Sequence, residues 1–264
     1  MTKNITAILA TLGLAAGMAG AVHATQFVQN GGFETLTSGA GQLGYNTNAT
    51  GWTNGQYNAN TVGYNFVFTT AAGTSGTNAD TTGATGNSGN LKLYGPGNST
   101  PTNNGLTLSP TGGNFIAADG AYQQAAITQT LTGLVVGSNY TVSFWWAAGQ
   151  QTGYSGATTD TWTVGLNPVG QTSNKQTTGT INLPNHGFSG WQQQTFNYTA
   201  TNTNEVLSFL ATGTPNGEPP FALLDGVSVT GAIVPEPSTV AAMFAGVLGL
   251  GLIVLRRNRT KKAL

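Results

Sequence analysis

The chain contains no cysteine, so no disulfide bond is available to hold its fold. The same absence excludes thiolate zinc sites and cysteine nucleophiles. Charged residues make up only 6% of the sequence, while Thr, Asn, Gly, Ser and Gln dominate, and such a polar composition suggests disorder. Disordered chains are also poor in aromatic residues, however, and here Phe, Trp and Tyr supply 9%. We therefore predict a folded domain that is stabilised by burial of apolar surface.

Basic residues are scarce between residues 25 and 233, although the formal net charge of the whole sequence is zero. Only Lys92 and Lys175 are basic there, and seven carboxylates outnumber them, so this body carries a net charge of −5. Affinity for nucleic acid depends largely on basic side chains that neutralise phosphates. We therefore predict no nucleic-acid partner, and no attraction to anionic lipid. The seven acids are Glu34, Asp80, Asp119, Asp160, Glu205, Glu218 and Asp225.

Candidate catalytic residues are also few. His186 is the only histidine after residue 24, and it lies in a loop rich in Pro, Asn and Gly. No serine has the Gly-x-Ser-x-Gly setting of a nucleophile elbow. Glycoside hydrolysis would need two of Asp119, Asp160, Glu205 and Glu218 to converge, and their separation does not follow from the sequence. We predict no catalytic residues and a protein that is not an enzyme.

Residues 234–264 combine a proline-containing motif, an apolar run and a basic tail, in that order. The apolar run, 238–255, would span ~27 Å as a helix, close to the thickness of the hydrocarbon core of a bilayer. Because Lys and Arg are retained on the cytoplasmic side, the tail at 256–264 would leave the body outside. We predict a transmembrane helix over 238–255. The residues that define the signal are Pro235, Glu236, Pro237, Arg256 and Arg257.

This order of features resembles the PEP-CTERM sorting signal of Gram-negative, exopolysaccharide-producing bacteria. The resemblance implies recognition by exosortase, an integral-membrane cysteine peptidase, and cleavage near the Pro-Glu-Pro motif. The protein would then be anchored in the inner membrane before processing, and at the cell surface or outside the cell after it. An anchor that is never cleaved would have the same length and charge.

Residues 1–24 have the arrangement of a secretory signal peptide, with Lys3 before an apolar stretch and small residues that end at Ala24. We predict cleavage after Ala24; a first transmembrane helix is the alternative. The predicted organisation is therefore a signal peptide, a body at 25–233 and the sorting signal at 234–264. The body is long enough for one domain with a sizeable core.

Apolar residues in the body alternate with polar ones along short segments, and no helical period occurs. Tyr140, Val142, Phe144 and Trp146 show this alternation, which is typical of a strand with one buried face. Gly-, Pro- and Asn-rich turns separate such segments, and no repeat of fixed period is present. The pattern predicts an all-β fold, a jelly-roll β-sandwich. The predicted strands include 66–68, 91–94, 126–131, 140–146, 160–166, 191–200, 205–212 and 221–230.

The order of several motifs resembles the galactose-binding-like jelly rolls, particularly carbohydrate-binding modules of the family 4, 9 and 22 type. The opening motif at 30–34, Asn-Gly-Gly-Phe-Glu, and the closing motif at 224–227, Leu-Asp-Gly-Val, are the most specific. The resemblance implies a structural calcium ion held by Glu34 and Asp225. Calcium prefers oxygen ligands, and a bare charge in an apolar strand is costly, which agrees with this assignment. Carboxylates exposed at strand ends are the alternative.

Saccharide binding requires an aromatic plate with neutral hydrogen-bonding groups around it. Trp145 is the best candidate, because the alternation of its strand places it on the face opposite Tyr140, with Tyr154, Gln129 and Gln150 expected nearby. Packing of Trp145 beneath a loop is the alternative. The leading hypothesis is an exported β-sandwich, sorted by exosortase, that binds extracellular polysaccharide. A structural or adhesive matrix protein without a saccharide site, and a polysaccharide-cleaving enzyme, are the rivals.

Overall fold

The computed structural model describes residues 24–97 and 104–232, and every regular element within these ranges is a β-strand. Residues Thr25–Gly231 form one compact unit. The strands, in chain order, are Ala24–Gln26 (β1), Gly41–Gln42 (β2), Thr53–Asn54 (β3), Gln56–Asn58 (β4), Thr61–Val62 (β5), Asn65–Phe68 (β6), Ala84–Gly86 (β7), Gly89–Leu91 (β8), Phe115–Asp119 (β9), Ile127–Thr132 (β10), Asn139–Gln150 (β11), Thr158–Pro168 (β12), Lys175–Thr177 (β13), Ile181–Leu183 (β14), Gln192–Thr199 (β15), Asn204–Thr214 (β16) and Pro220–Ala232 (β17).

The strands form two large sheets and one small ribbon, β4-β5. The nine-stranded sheet has the order β15-β11-β17-β9-β6-β2-β7-β8, with β1 against β17. The six-stranded sheet has the order β13-β12-β16-β10-β3, with β14 against β12. The chain passes from one large sheet to the other between β2 and β3, β9 and β10, β10 and β11, β11 and β12, β14 and β15, β15 and β16, and β16 and β17. This repeated crossing makes a jelly-roll sandwich, and the predicted fold class is confirmed.

The main hydrophobic core lies between the two sheets. The alternating residues of β11, Tyr140, Val142, Phe144 and Trp146, all point into it and are at most 2% exposed. Phe209 of the six-stranded sheet packs edge-to-face on Phe144, with ring centroids 5.1 Å apart. The predicted buried face of this strand is therefore confirmed.

A second core covers the opposite face of the nine-stranded sheet. On β9, Ile116 belongs to the main core and its neighbours Phe115 and Ala117 to the second, so this strand is buried on both faces. Leu91, at the end of β8, and Leu106, in the loop before β9, belong to this second core. Strands buried on both faces read as continuous apolar runs, which explains why β9 lacks alternation.

The predicted strands of the second half agree with the observed ones to within four residues at each end. The prediction at 91–94 is shifted, because the strand is Gly89–Leu91 and Leu93 forms an isolated bridge with Gln151. The short strands β13 and β14 were not predicted, since each is only three residues long.

The predicted terminal segments lie outside the described residues. These are residues 1–23 of the signal peptide, the sorting signal at 234–264, and with it the span at 238–255. In the part of the chain that the structure describes, no helix has the length and apolar composition needed to cross a membrane.

Candidate functional site

A cavity of about 350 Å³ opens where β9 ends and β17 begins. We call it the tyrosine cavity, because three tyrosines from separate loops contribute to its wall, together with a single carboxyl group. Its lining residues are Tyr64, Ser88, Asp119, Ala121, Tyr122, Gln151, Tyr154, Asn216, Gly217 and Pro219.

Two of the three tyrosine rings are accessible. Tyr122 is 45% exposed and Tyr154 is 39% exposed, whereas Tyr64 is buried. Tyr64 meets Tyr122 edge-to-face at 5.2 Å, and its other neighbour is Phe66, with centroids 4.7 Å apart. Burial raises the pKa of Tyr64 to about 12, and the nearby Asp119 adds to the rise. Tyr64 is therefore a neutral, fixed support for the exposed ring of Tyr122.

The carboxyl group of Asp119 is held in one orientation. Its Oδ1 accepts hydrogen bonds from the main-chain N–H groups of Ala121, at 2.8 Å, and Tyr122, at 2.9 Å. Burial raises the pKa of Asp119 to about 6, although these two hydrogen bonds act in the opposite direction. No described residue donates a hydrogen bond to Oδ2. The side chain thus presents one unpaired oxygen at the wall of the tyrosine cavity.

The loop that carries Tyr154 is fixed by Tyr94. The hydroxyl of Tyr94 donates to the carbonyl oxygen of Tyr154 at 3.0 Å and accepts from the N–H of Gly153 at 3.1 Å. The ring of Tyr94 stacks on His186, with centroids 4.0 Å apart, and His186 Nε2 lies 3.0 Å from Ser155 Oγ. His186 therefore supports the Tyr154 loop.

A second acid, Asp160, lies at the same end of the sandwich. It is fully buried, and neither carboxyl oxygen has a hydrogen-bond partner among the described residues. Burial raises the pKa of Asp160 well above its ordinary value, and repulsion from Asp119 raises it further. Gly213, the cross-strand partner of Asp160, donates its N–H to the carbonyl oxygen of Gly120 at 2.7 Å. This bond ties β16, the strand next to that of Asp160, to the residue that follows Asp119.

Sequence reasoning had weighed Asp119 and Asp160 only as members of a hydrolytic pair. Asp160 occupies the same alternation as Trp162 and Val164, and that pattern would have placed it inside the sandwich. No comparable pattern in the sequence predicts that Tyr64 and Tyr122 lie beside Asp119. Their proximity depends on how loops from distant parts of the chain meet.

Trp145 lies elsewhere on the molecule. It is half-buried on β11 and pairs with Gln193 of the edge strand β15. A Cβ added to Gly226 would lie 3.1 Å from Trp145 Cδ1 and 2.8 Å from Thr111 Cγ2, so the indole packs near the loop of Thr111. Trp145 is not among the residues that line the tyrosine cavity. Its predicted role in saccharide binding stays a prediction.

Gln129 is 5% exposed and its amide group is engaged at both ends. Oε1 accepts from the main-chain N–H of Gln29 at 2.7 Å, and Nε2 donates to the carbonyl oxygen of Gln29 at 2.9 Å. These bonds attach the segment before Asn30 to β10. Of Trp145, Gln129 and Tyr154, only Tyr154 lines the tyrosine cavity.

Glu34 and Asp225, the predicted calcium ligands, lie near each other. A Cβ on Gly32 would be 3.7 Å from Asp225 Oδ1 and 3.8 Å from Glu34 Oε1. Asp225 Oδ2 accepts hydrogen bonds from Ser109 Oγ and Thr111 Oγ1. Burial raises the pKa of Asp225 to about 6, and the charge of Glu34 contributes to the rise.

This set of two carboxyl groups and two hydroxyl groups fits the preference of calcium for oxygen ligands. Among the described residues there is no group of three or more His, Cys, Asp or Glu side chains placed to hold a metal ion. Hydroxyl and carbonyl oxygens would therefore have to complete the coordination. Pro235, Glu236, Pro237, Arg256 and Arg257, the predicted sorting residues, lie outside the described ranges.

Neither a family model nor a curated protein matches the chain. Among solved structures, the K3 cleaved adhesin domain of Lys-gingipain from Porphyromonas gingivalis is 12% identical, with a TM-score of 0.40; the match covers 79% of this chain and 99% of that one. A carbohydrate-binding module of family 4 is 17% identical over 77% of this chain and 99% of its own, with a TM-score of 0.35.

An arabinose-bound α-L-arabinofuranosidase is 15% identical, with a TM-score of 0.40. That match covers 81% of this chain and 27% of the arabinofuranosidase chain, so this chain spans about a quarter of its length. At these TM-scores the similarities carry no argument about binding or activity.

Proposed function

We propose that this protein binds extracellular polysaccharide at the tyrosine cavity. The observation that carries the proposal is that two exposed tyrosines, Tyr122 and Tyr154, line the same cavity as Asp119, whose Oδ2 accepts no hydrogen bond from the described residues. The apolar face of a sugar ring packs well on an aromatic face, and its hydroxyl groups are donors for a carboxylate oxygen. Gln151 and Asn216 add neutral donors and acceptors to the wall.

A larger groove, of about 600 Å³, lies along Asn167, Asn174 and Asn197 and is also polar. Its only aromatic lining residue is Tyr198, which is 2% exposed and donates its hydroxyl to the carbonyl oxygen of Val164. This groove therefore offers no aromatic face to a sugar. The tyrosine cavity is the better candidate for that reason.

The same cavity supports binding without cleavage of the glycosidic bond. Hydrolysis by the usual mechanism requires two carboxyl groups that flank the bond. Among the described residues, Asp119 is the only carboxyl group that lines the cavity, and Asp160 is fully buried behind it. We therefore propose a binding protein that is not an enzyme.

The binding experiment compares the wild type with Tyr122→Ala and Tyr154→Ala by affinity electrophoresis on a panel of soluble polysaccharides. We expect each substitution to weaken binding about tenfold or more, which corresponds to about 1.4 kcal/mol. Tyr57→Ala is the matched control, since Tyr57 is 55% exposed on the separate β4-β5 ribbon. It should leave binding unchanged.

Two outcomes would decide against the tyrosine cavity. Loss of binding in Trp145→Ala, with Tyr122→Ala unaffected, would move the saccharide site to the outer face of β11. If the wild type binds none of the polysaccharides, the alternative of a structural or adhesive matrix protein is favoured.

The proposal also includes export and exosortase-dependent sorting, which the signals at 1–24 and 234–264 support. Mass spectrometry of the protein from its native cells tests this part. We expect the mature form to begin after Ala24 and to lack residues 256–264, and a strain without exosortase to retain them. Retention of Arg256 and Arg257 in both strains would contradict sorting by cleavage.

A further inference from the structure

We propose that the tyrosine cavity prefers saccharides that carry a protonated amine, such as oligomers of glucosamine, to neutral and anionic saccharides. This inference rests on the carbohydrate-binding function proposed above and names the chemical class of its ligand.

The first support is the geometry of Asp119. Two main-chain N–H groups fix its Oδ1, and Oδ2 is left without a hydrogen bond from any described residue. A carboxylate forms charge-assisted hydrogen bonds with a hydroxyl as well as with an ammonium group. Only the ammonium group adds the attraction between opposite charges, which grows in a site shielded from water. A single fixed, unpaired carboxylate oxygen therefore gains more from an ammonium donor than from a hydroxyl.

The second support is the arrangement of the rings. Tyr64 and Tyr122 are nearly perpendicular, at 84°, and Tyr154 contributes a third ring to the same wall. A cation within about 6 Å of a tyrosine ring is attracted to its face, and the attraction grows when the site is shielded from water. An ammonium group can therefore interact with both the carboxylate and the faces of the tyrosine rings. A neutral hexose gains from the rings only by packing on their apolar surface.

The third support is the charge around the cavity. Asp119 lines it directly, and Glu218 belongs to the same short loop as the lining residues Asn216 and Gly217. Neither lysine of the described body lines the cavity. The surrounding charge is therefore negative, so it attracts a cationic sugar and repels uronic acids and sulfated sugars.

The pH dependence of binding follows from the same groups. Burial raises the pKa of Asp119 to about 6, so the carboxyl is largely neutral at pH 5 and ionised at pH 7. Tyr64, Tyr122 and Tyr154 line the same cavity, and Tyr64 is a neutral phenol because burial raises its pKa to about 12. An ammonium ligand favours the ionised carboxylate, so its affinity should rise from pH 5 to pH 6 with release of a proton on binding. Towards pH 7 the rise should level off, because the amine of a glucosamine oligomer begins to lose its own proton. A neutral oligomer should show a smaller change.

The test is isothermal titration calorimetry with hexamers of glucosamine, N-acetylglucosamine and glucose at pH 5, 6 and 7. For the wild type at pH 6, we expect the glucosamine hexamer to bind at least tenfold more tightly than the N-acetylglucosamine hexamer. Asp119→Asn should remove this preference and keep binding of the neutral oligomers. Asp80→Asn, at a buried acid that does not line the cavity, should retain the preference.

The wild-type pH series tests the proposal without any substitution, and thermal melting of each variant shows whether it is folded. Equal affinity of the wild type for the glucosamine and N-acetylglucosamine hexamers at pH 6 would overturn the amine preference and leave carbohydrate binding standing. A preference that persists in folded Asp119→Asn would overturn it as well. Failure of the wild type to bind any of the three hexamers or any polysaccharide would overturn both proposals.

Discussion

The indole nitrogen Nε1 of Trp162 donates a hydrogen bond of 3.1 Å to the main-chain carbonyl oxygen of Leu223. Trp162 is fully buried on β12 of the six-stranded sheet, and Leu223 lies on β17 of the nine-stranded sheet. The bond therefore crosses the main core and joins the two layers of the sandwich.

We expect Trp162→Phe to lower the free energy of unfolding by about 1–3 kcal/mol. The substitution removes the donor of the Leu223 bond and part of a buried ring that packs on Phe209. Urea unfolding followed by circular dichroism measures the change. Trp191→Phe is the control, because its bond to the carbonyl oxygen of Thr107 is exposed, and it should cost less. Equal losses in the two variants would contradict a special role for the bond between the sheets.

The buried carboxyl group of Asp160 should make the protein less stable as the pH rises. Its pKa in the folded state is raised by burial, above the ordinary aspartate value of about 3.9, so the folded state holds this proton more tightly than the unfolded chain does. The stabilisation is complete below about pH 4 and is lost above it, by up to about 1.4 kcal/mol per pH unit for one group. Urea unfolding between pH 4 and pH 8 measures this slope.

Asp160→Asn should flatten that pH dependence and exceed the wild type in stability at pH 8, because the amide does not ionise. Asp119→Asn should remove a smaller part, confined to the range between about pH 4 and pH 6, since burial raises the pKa of Asp119 from its ordinary value to about 6. An unchanged slope in Asp160→Asn would show that Asp160 does not titrate in this range.

We propose a structural calcium ion between Glu34 and Asp225, and we expect chelation with EDTA to lower the melting temperature by several degrees. A bound cation would relieve the repulsion by which Glu34 contributes to the raised pKa of Asp225. Glu34→Gln should abolish the response to EDTA and to added calcium. Asp119→Asn, in the tyrosine cavity, should keep it. A wild-type melting temperature that is the same with EDTA and with excess calcium would dismiss the ion.

The sandwich could be predicted from the sequence because each long strand has its own alternation of apolar and polar residues. Tyr140, Val142, Phe144 and Trp146 alternate, and all four enter the main core. The same alternation placed Trp145 on the opposite face of β11, yet it could not show that Trp145 packs near the loop of Thr111. What covers a sheet face depends on contacts between distant segments.

The tyrosine cavity illustrates the same limit. Tyr64, Asp119 and Tyr154 come from three parts of the chain, and no periodicity relates them. Tyr154 was predicted as a binding residue only as a neighbour of Trp145. Its actual neighbours follow from the hydrogen bonds of Tyr94 and from the position where β9 ends.

The final prediction concerns Gly120, where the backbones of three segments come together. Gly120 donates its N–H to the carbonyl oxygen of Pro220 at 2.8 Å and accepts from Gly213 at 2.7 Å. A Cβ at Gly120 would lie 2.5 Å from the nitrogen of Gly213, and backbone atoms cannot move aside as a flexible side chain can. We expect Gly120→Ala to cost about 1–3 kcal/mol in urea unfolding, and to weaken saccharide binding through the adjacent Asp119.

Gly179→Ala is the matched control for Gly120→Ala. Neither glycine has a positive φ, and a Cβ at Gly179 would meet nothing within 4 Å. The two substitutions therefore restrict the backbone in the same way, and they differ only in whether the new Cβ atom clashes with neighbouring atoms. Gly179→Ala should change stability by less than about 0.5 kcal/mol or raise it slightly, because alanine restricts the unfolded chain. Equal stability of the two variants would mean that the contact between Gly120 and Gly213 relaxes without cost.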